Sequence, residues 1–103
     1  MFKVAFITVG SMDEGRKIAK KLVEEKLAAC VNIINGLESI FLWKGKIEEA
    51  REVLLIVKTK ADKIESLVKR VRELHSYEVP EIIWFDLEGG LKSYLDWIEE
   101  SLK

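Results

Sequence analysis

The stretch Gly36 to Lys60 restricts what this chain can fold into more than any other. It reads GLESIFLWKGKIEEAREVLLIVKTK, with β-rich runs on both sides of Lys44-Gly45. Such a pair between two β-rich runs marks a hairpin tip. The first run, Ile40-Phe41-Leu42-Trp43, is short, and the second extends from Lys46 to about Lys60. At ~3.3 Å per residue, the second run would reach roughly 45–50 Å as one straight strand. A compact domain of about this size has a radius of gyration near ~13 Å and is roughly 35 Å across. The strand must therefore bend, or project and pair with something else. The simplest partner is a second copy of the chain.

The remaining elements follow from periodicity. Phe2 to Val9 is apolar apart from Lys3 and Thr8 and predicts a strand buried on both faces. Gly10 ends it. Ser11-Met12-Asp13-Glu14 has the spacing of a capping box, with Ser11 as N-cap. Ile18, Ala19, Leu22, Val23 and Leu27 then predict a helix to about Lys26. Leu27 to Asn35 predicts a strand, with Ala29, Val31 and Ile33 on one face and Ala28, Cys30 and Asn32 on the other. Beyond the hairpin, Thr59 or Asp62 is expected to cap a second helix carrying the stripe Ile64, Leu67, Val68, Val71 and Leu74. His75 to Glu81 is a connector, Ile82 to Leu87 a strand and Glu88-Gly89-Gly90 a turn. A last helix carries Leu91, Tyr94, Leu95, Ile98 and Leu102.

This order is β-α-β-β-α-β plus an extra C-terminal helix, in one domain spanning residues 1–103. The first six elements match the ferredoxin-like split βαβ pattern, an α+β fold with both helices on one face of a four-stranded antiparallel sheet. The other face of such a sheet is normally polar. Here Val4 and Phe6 oppose Ala5, Ile7 and Val9, and Ile82 and Trp84 oppose Ile83, Phe85 and Leu87. Both faces need cover, because an exposed apolar area of several hundred Å² is a liability. The third helix is expected to cover part, and other subunits the rest.

Composition excludes several classes. The net charge is -1 and acids interleave with the 17 basic residues, which argues against nucleic acid as a partner. No apolar run approaches the ~20 residues that cross a bilayer, so no membrane is expected. The first residues lack the basic and small-residue signature of a signal peptide. One cysteine cannot form an intrachain disulfide, which fits a reducing cytoplasm. The chain has no Gln, two Asn and 34% charged residues, a pattern expected of a heat-adapted protein. No nucleophile motif is present, so no enzyme is expected.

Three segments resemble the CutA family of divalent-cation tolerance proteins. They are Glu25-Lys26-Leu27-Ala28-Ala29-Cys30-Val31-Asn32-Ile33; Ser39 to Ile47 leading to Glu52 and Lys58-Thr59; and His75-Ser76-Tyr77-Glu78-Val79-Pro80-Glu81-Ile82. Tyr94-Leu95 and Trp97 also fit. The resemblance implies trimers of ferredoxin-like subunits, packed sheet against sheet with hairpins reaching onto neighbours. It also implies non-catalytic binding of a divalent cation, copper in particular. Two departures stand out. Ser76 replaces the proline of the family's usual His-Pro-Tyr. Ile7 and Leu74 occupy positions where some members carry an extra Cys and an extra His.

The resulting metal candidates are Cys30, His75 and Glu81. Cys30 reads as a small buried hydrophobe or as a soft copper ligand. His75 reads as a capping group at a helix C-terminus or as a ligand in an intersubunit cleft. Glu81 reads as a solvated loop carboxylate or, through the matched Val-Pro-Glu-Ile, as a cleft residue. Tyr77 and Trp43 read as packing groups, and Lys58, charged in an apolar strand, needs a partner or a water-filled cleft. A closed zinc site wants four N or S ligands, more than one chain supplies, so any tight site should draw on two or three subunits. The alternatives are a trimer like the P-II signalling proteins that binds a small anion, and an interaction scaffold that needs no metal.

Overall fold

The computed structural model describes Met1–Lys103. Its elements are β1 (Phe2–Val9), α1 (Met12–Glu24), β2 (Cys30–Trp43), β3 (Lys46–Lys60), a 3-10 turn (Ala61–Lys63), α2 (Ile64–Leu74), β4 (Ile82–Asp86) and α3 (Lys92–Ser101). The four strands form one antiparallel sheet in the order β2-β3-β1-β4, which is the ferredoxin-like arrangement.

The register of β3 on β1 runs from Phe2 opposite Lys60 to Val9 opposite Val53. It places Ala5, Ile7, Val9, Val53, Leu55 and Val57 on one face, each 0–2% exposed. Ile18 and Leu22 of α1 and Leu67 and Val71 of α2 close over them. Fully burying one such aliphatic side chain stabilises a fold by roughly 1.5–3 kcal/mol. Gly15 lets α1 approach the sheet: a Cβ there would lie 3.2 Å from Val9 Cγ2 and 3.4 Å from Leu55 Cδ2.

The hairpin is longer than its sequence pattern indicates. Instead of stopping at Asn35, β2 continues to Trp43 across a register shift between Ile34 and Leu37. Gly36 makes this possible, since its φ of +87° lies in the left-handed region that favours glycine. Asn35 Oδ1 accepts from the Gly36 N–H at 2.8 Å. The result is a bulge rather than a strand end. At the tip Lys44 and Gly45 both have positive φ, 51° and 80°, as a two-residue I′-type turn requires. The molecule measures 45 × 24 × 23 Å, so the hairpin does project.

Four local expectations are corrected. Ser11 caps α1 by accepting from the Glu14 N–H at 3.2 Å, but the helix ends at Glu24, where Lys26 turns left-handed at φ 58°. Ala29 does not share a face with Val31 and Ile33. It precedes the strand and packs on Ile98 and Leu102 of α3, whereas Val31, Ile33 and Ala28 join the main core. Neither Thr59 nor Asp62 caps α2. Thr59 stays in β3, buried, and donates its hydroxyl to Leu27 O at 2.7 Å, while Lys60 precedes the 3-10 turn without a side-chain cap. Finally β4 ends at Asp86, and Leu87 N–H bonds Phe2 O at 3.0 Å.

The second sheet face is covered in part. Ile98, Leu102 and Leu95 of α3 pack over Phe2 and Ala29. Beyond α3, Ile34, Ile83 and Phe85 remain 47–51% exposed, with Phe6 edge-on to Phe85 at 5.3 Å between ring centroids.

Gly36→Ala should lower stability by about 1–2 kcal/mol, because an L side chain is strained in the left-handed region. Gly15→Val should cost about 1–3 kcal/mol by overpacking the α1–sheet contact. Gly89→Ala, with nothing within 4 Å of the added Cβ, should stay near parent. Urea midpoints at one fixed protein concentration check all three.

Candidate functional site

The connector between α2 and β4 is tied to three other elements. His75 ends α2 and its side chain is fully buried. Its Nε2 donates to Thr8 O of β1 at 2.7 Å, and its Nδ1 accepts from the Tyr77 N–H at 3.0 Å. Both ring nitrogens are therefore engaged, and Glu14 Oε2 lies 3.5 Å from Nδ1. Glu14 does not complete the capping box, because its carboxylate turns to the connector: Oε2 accepts from the Ser76 N–H at 2.9 Å and Oε1 from the Ser76 hydroxyl at 3.0 Å. A proline at position 76 would have neither donor. The departure Ser76 thus brings its own partner with it.

Tyr77 reaches the third element. Its hydroxyl donates to Glu52 Oε2 of β3 at 2.9 Å. Glu52 is only 8% exposed, the one carboxylate in the buried set. A cavity of about 520 Å³ opens beside it, lined among others by Thr8, Glu38, Phe41, Tyr77 and Glu81. A second hollow of about 320 Å³ shares Phe41, Tyr77 and Val79 with the first and adds Trp43 and Glu78. Burial, then the Glu52 hydrogen bond and the charges of Glu52 and Glu14, push the Tyr77 phenol up from its usual 10.0 to about 12.

Cys30 lies elsewhere, on the sheet face away from α1 and α2. Lys58 Nζ is 3.8 Å from its sulfur and also bonds Asn32 Oδ1. Lys58 therefore has the partner that its place in an apolar strand demands. Tyr94 of α3 contacts the thiol, and its phenol is raised by burial first and by Cys30 second.

The three sequence candidates do not converge. Glu81 lines the cavity, His75 sits beneath its Thr8 edge with no nitrogen to spare, and Cys30 faces Lys58 and Tyr94. No three His, Cys, Asp or Glu side chains cluster closely enough to hold a metal ion. The residues of one chain thus do not fit a closed copper or zinc site, and an ammonium beside the thiol opposes a bare cation. Sequence reasoning missed the pairing of Glu14 with Ser76 and of Glu52 with Tyr77. One signal for the second was present: Glu52 is a lone acid at the head of the apolar run Val53-Leu54-Leu55-Ile56-Val57.

The Tyr77 shift has a definite sign. The folded chain holds this proton more tightly than the unfolded chain. The stability it brings is complete below pH 10 and is lost as pH rises from 10 through about 12. With Tyr94→Phe, the remaining tyrosine should titrate by ultraviolet absorbance with a midpoint near 12; a midpoint at 10 contradicts the Glu52 contact.

Comparison with known proteins agrees with this architecture. The profile of the family described as CutA1 divalent ion tolerance protein matches residues 3–101. A Thermus thermophilus protein named "Divalent-cation tolerance protein CutA" is 50% identical over 101 residues, covering 98% of each chain. A solved CutA1 structure from the same organism superposes with a TM-score of 0.98 at 48% identity, covering 100% of each chain. An Archaeoglobus fulgidus protein of the same name is 46% identical over 103 residues, covering 100% of both. "Protein CutA, chloroplastic" of Arabidopsis thaliana is 43% identical over 97% of this chain, which spans only 55% of that relative's length. With its element order, sheet topology and connector already in place, the chain belongs to the CutA1 divalent ion tolerance family.

Proposed function

We propose that this chain is a non-catalytic protein that binds divalent cations, copper among them, and works as a homotrimer. Family membership supports the cation class. The observation that carries the assembly is the sheet face left bare beyond α3, where Ile34, Ile83 and Phe85 are about half exposed, whereas the aliphatic cluster under α1 and α2 is buried. A face of this kind resembles one half of an obligate interface. The projecting hairpin adds Ile40, Leu42 and Ile47, each more than 70% exposed. Copies packed on these surfaces would bury them.

Cys30 lies on that same sheet face, so a copper site using its thiol would form between copies and repeat with the symmetry. This also accommodates the lack of a three-donor cluster within one chain. A reducing compartment such as the cytoplasm would keep Cys30 a thiol. The dense charge pattern fits a heat-adapted chain, with a thermal midpoint above the ~45–65 °C of ordinary domains.

Light scattering should give a mass three times the 11.9 kDa of one chain, and a stable monomer at micromolar concentration would overturn the assembly. Copper titration of the assembled protein should then saturate at a defined number of ions per trimer. Cys30→Ser should weaken binding at least tenfold, about 1.4 kcal/mol, with the oligomer intact. Parent-like binding in that variant would remove Cys30 from the site. His75→Ala should act differently, lowering stability by about 1–3 kcal/mol through the unpaired Thr8 carbonyl and Tyr77 N–H.

A further inference from the structure

The bulge at the base of the hairpin carries a chemically labile pair. Asn35 is followed by Gly36, and both residues are exposed. In an Asn-Gly pair the glycine nitrogen can attack the side-chain amide carbon, because glycine has no Cβ to shield the approach. Nothing lies within 4 Å of the position that a Cβ on Gly36 would take. The pair also falls in the register break. Ile34 lies opposite Leu54 and Leu37 opposite Glu52, and neither Asn35 nor Gly36 has a partner in the ladder. The Gly36 N–H donates to Asn35 Oδ1 at 2.8 Å. That contact holds the attacking nitrogen beside Cγ, the carbon that carries Oδ1. Holding two reacting groups together lowers the entropic cost of their reaction. Asn32 supplies the contrast. It is followed by the β-branched Ile33, lies opposite Ile56 in the ladder, and its Oδ1 accepts from Lys58 Nζ. The chain has no Gln, so Asn32 and Asn35 carry its only side-chain amides.

We infer that Asn35-Gly36 is a site of spontaneous covalent modification in the folded protein, and that its product re-aims the hairpin. The Gly36 nitrogen bonds to Asn35 Cγ and gives up its proton. The Cγ–Nδ2 bond breaks, and the amide leaves as ammonia with that proton, so that a five-membered succinimide closes. Water then opens the ring, and nothing is oxidised or reduced. Opening at Cγ leaves an aspartate at position 35. Opening at the main-chain carbonyl leaves an isoaspartyl linkage, with the side-chain methylene now part of the backbone. Either product adds a negative charge to a chain of net charge -1. The aspartate keeps an oxygen for the Gly36 N–H. The isoaspartyl linkage instead lengthens β2 inside the bulge that carries it into the hairpin. A bulge sets the local bend and twist of its strand, so an extra backbone atom there changes the direction of everything beyond it. The core under α1 and α2 includes neither residue of the pair.

The test incubates the assembled protein at mildly alkaline pH, warm but below its unfolding transition, beside the same chain unfolded in guanidinium chloride. Peptide mapping by mass spectrometry reads amide-to-acid conversion at each Asn. An isoaspartate-specific methyltransferase with a labelled methyl donor counts the isoaspartyl product. Folded Asn35 should convert within roughly tenfold of its rate in the unfolded chain, a barrier difference of no more than about 1.4 kcal/mol, and at least tenfold faster than folded Asn32. The rate should rise with pH, because attack needs the deprotonated nitrogen. The denaturant midpoint of the parent should fall as isoaspartyl product accumulates. Asn35→Ser should form no such product at that position and hold its own midpoint through the incubation. Freshly prepared Asn35→Asp carries the charge without the extra backbone atom and should unfold near the fresh parent. Protection of Asn35 in the folded protein while the unfolded chain converts would overturn the assignment, whether its own backbone or a neighbouring copy is the shield. Conversion of Asn32 at the same rate would do so too. An unchanged midpoint in fully converted protein would overturn the effect on the hairpin. None of these readouts involves Cys30 or a metal ion.

Discussion

The pairing of β3 with β1 is the constraint on which the rest of the molecule depends. Eight consecutive residue pairs from Phe2–Lys60 to Val9–Val53 set the parity of both strands. A slip of one residue would exchange Val53, Leu55 and Val57 for Leu54, Ile56 and Lys58 under the helices. The charge of Lys58 penalises that exchange, since its ammonium would enter a dry core instead of meeting Asn32 at the sheet surface. The same register leaves Thr59 facing Leu27 O and aligns Cys30 with Lys58 across the β2–β3 pair. Core, thiol environment and strand ends thus share one cause.

Past the end of β1, the connector takes over the role of a strand neighbour. Four hydrogen bonds hold it: one from His75 to Thr8, two from Ser76 to Glu14, and one from Tyr77 to Glu52. These contacts couple α1, β1, α2 and β3 at the point where the hairpin leaves the body of the protein. Buried hydrogen-bonded groups of this sort specify one arrangement, because leaving any member unpaired costs about 1–3 kcal/mol. The network also positions Tyr77 between the two hollows and leaves one Glu52 oxygen free. Positional order at the base of the hairpin and a polar cavity therefore arise together.

The two faces of the sheet follow opposite rules. Under α1 and α2, aliphatic side chains are buried almost completely. On the other face α3 covers one end, and Ile34, Ile83 and Phe85 are left half exposed. Such an imbalance in one small chain separates the part that folds on itself from the part suited to association.

Most of the fold was legible in the sequence. Apolar alternation showed a sheet apolar on both faces, the Ser11 spacing showed the start of α1, and Lys44-Gly45 showed the hairpin tip. Each of these depends on residues only a few positions apart, so local patterns suffice. The misreadings have a common origin. Gly36 looked like a strand end because glycine both terminates strands and permits bulges, and only pairing with β3 distinguishes the two. Thr59 looked like a cap because its hydroxyl suits one, but its partner Leu27 O lies 32 positions away. The candidate site was legible as a set of residue types and not as a constellation. Nothing local brings Glu38, Glu52 and Glu81 to one cavity, engages both nitrogens of His75, or parts Cys30 from it. The sequence by itself determined the elements, their order and the excess of apolar surface. Strand register and the crossing of the connector, which are contacts between distant residues, decided which polar groups meet.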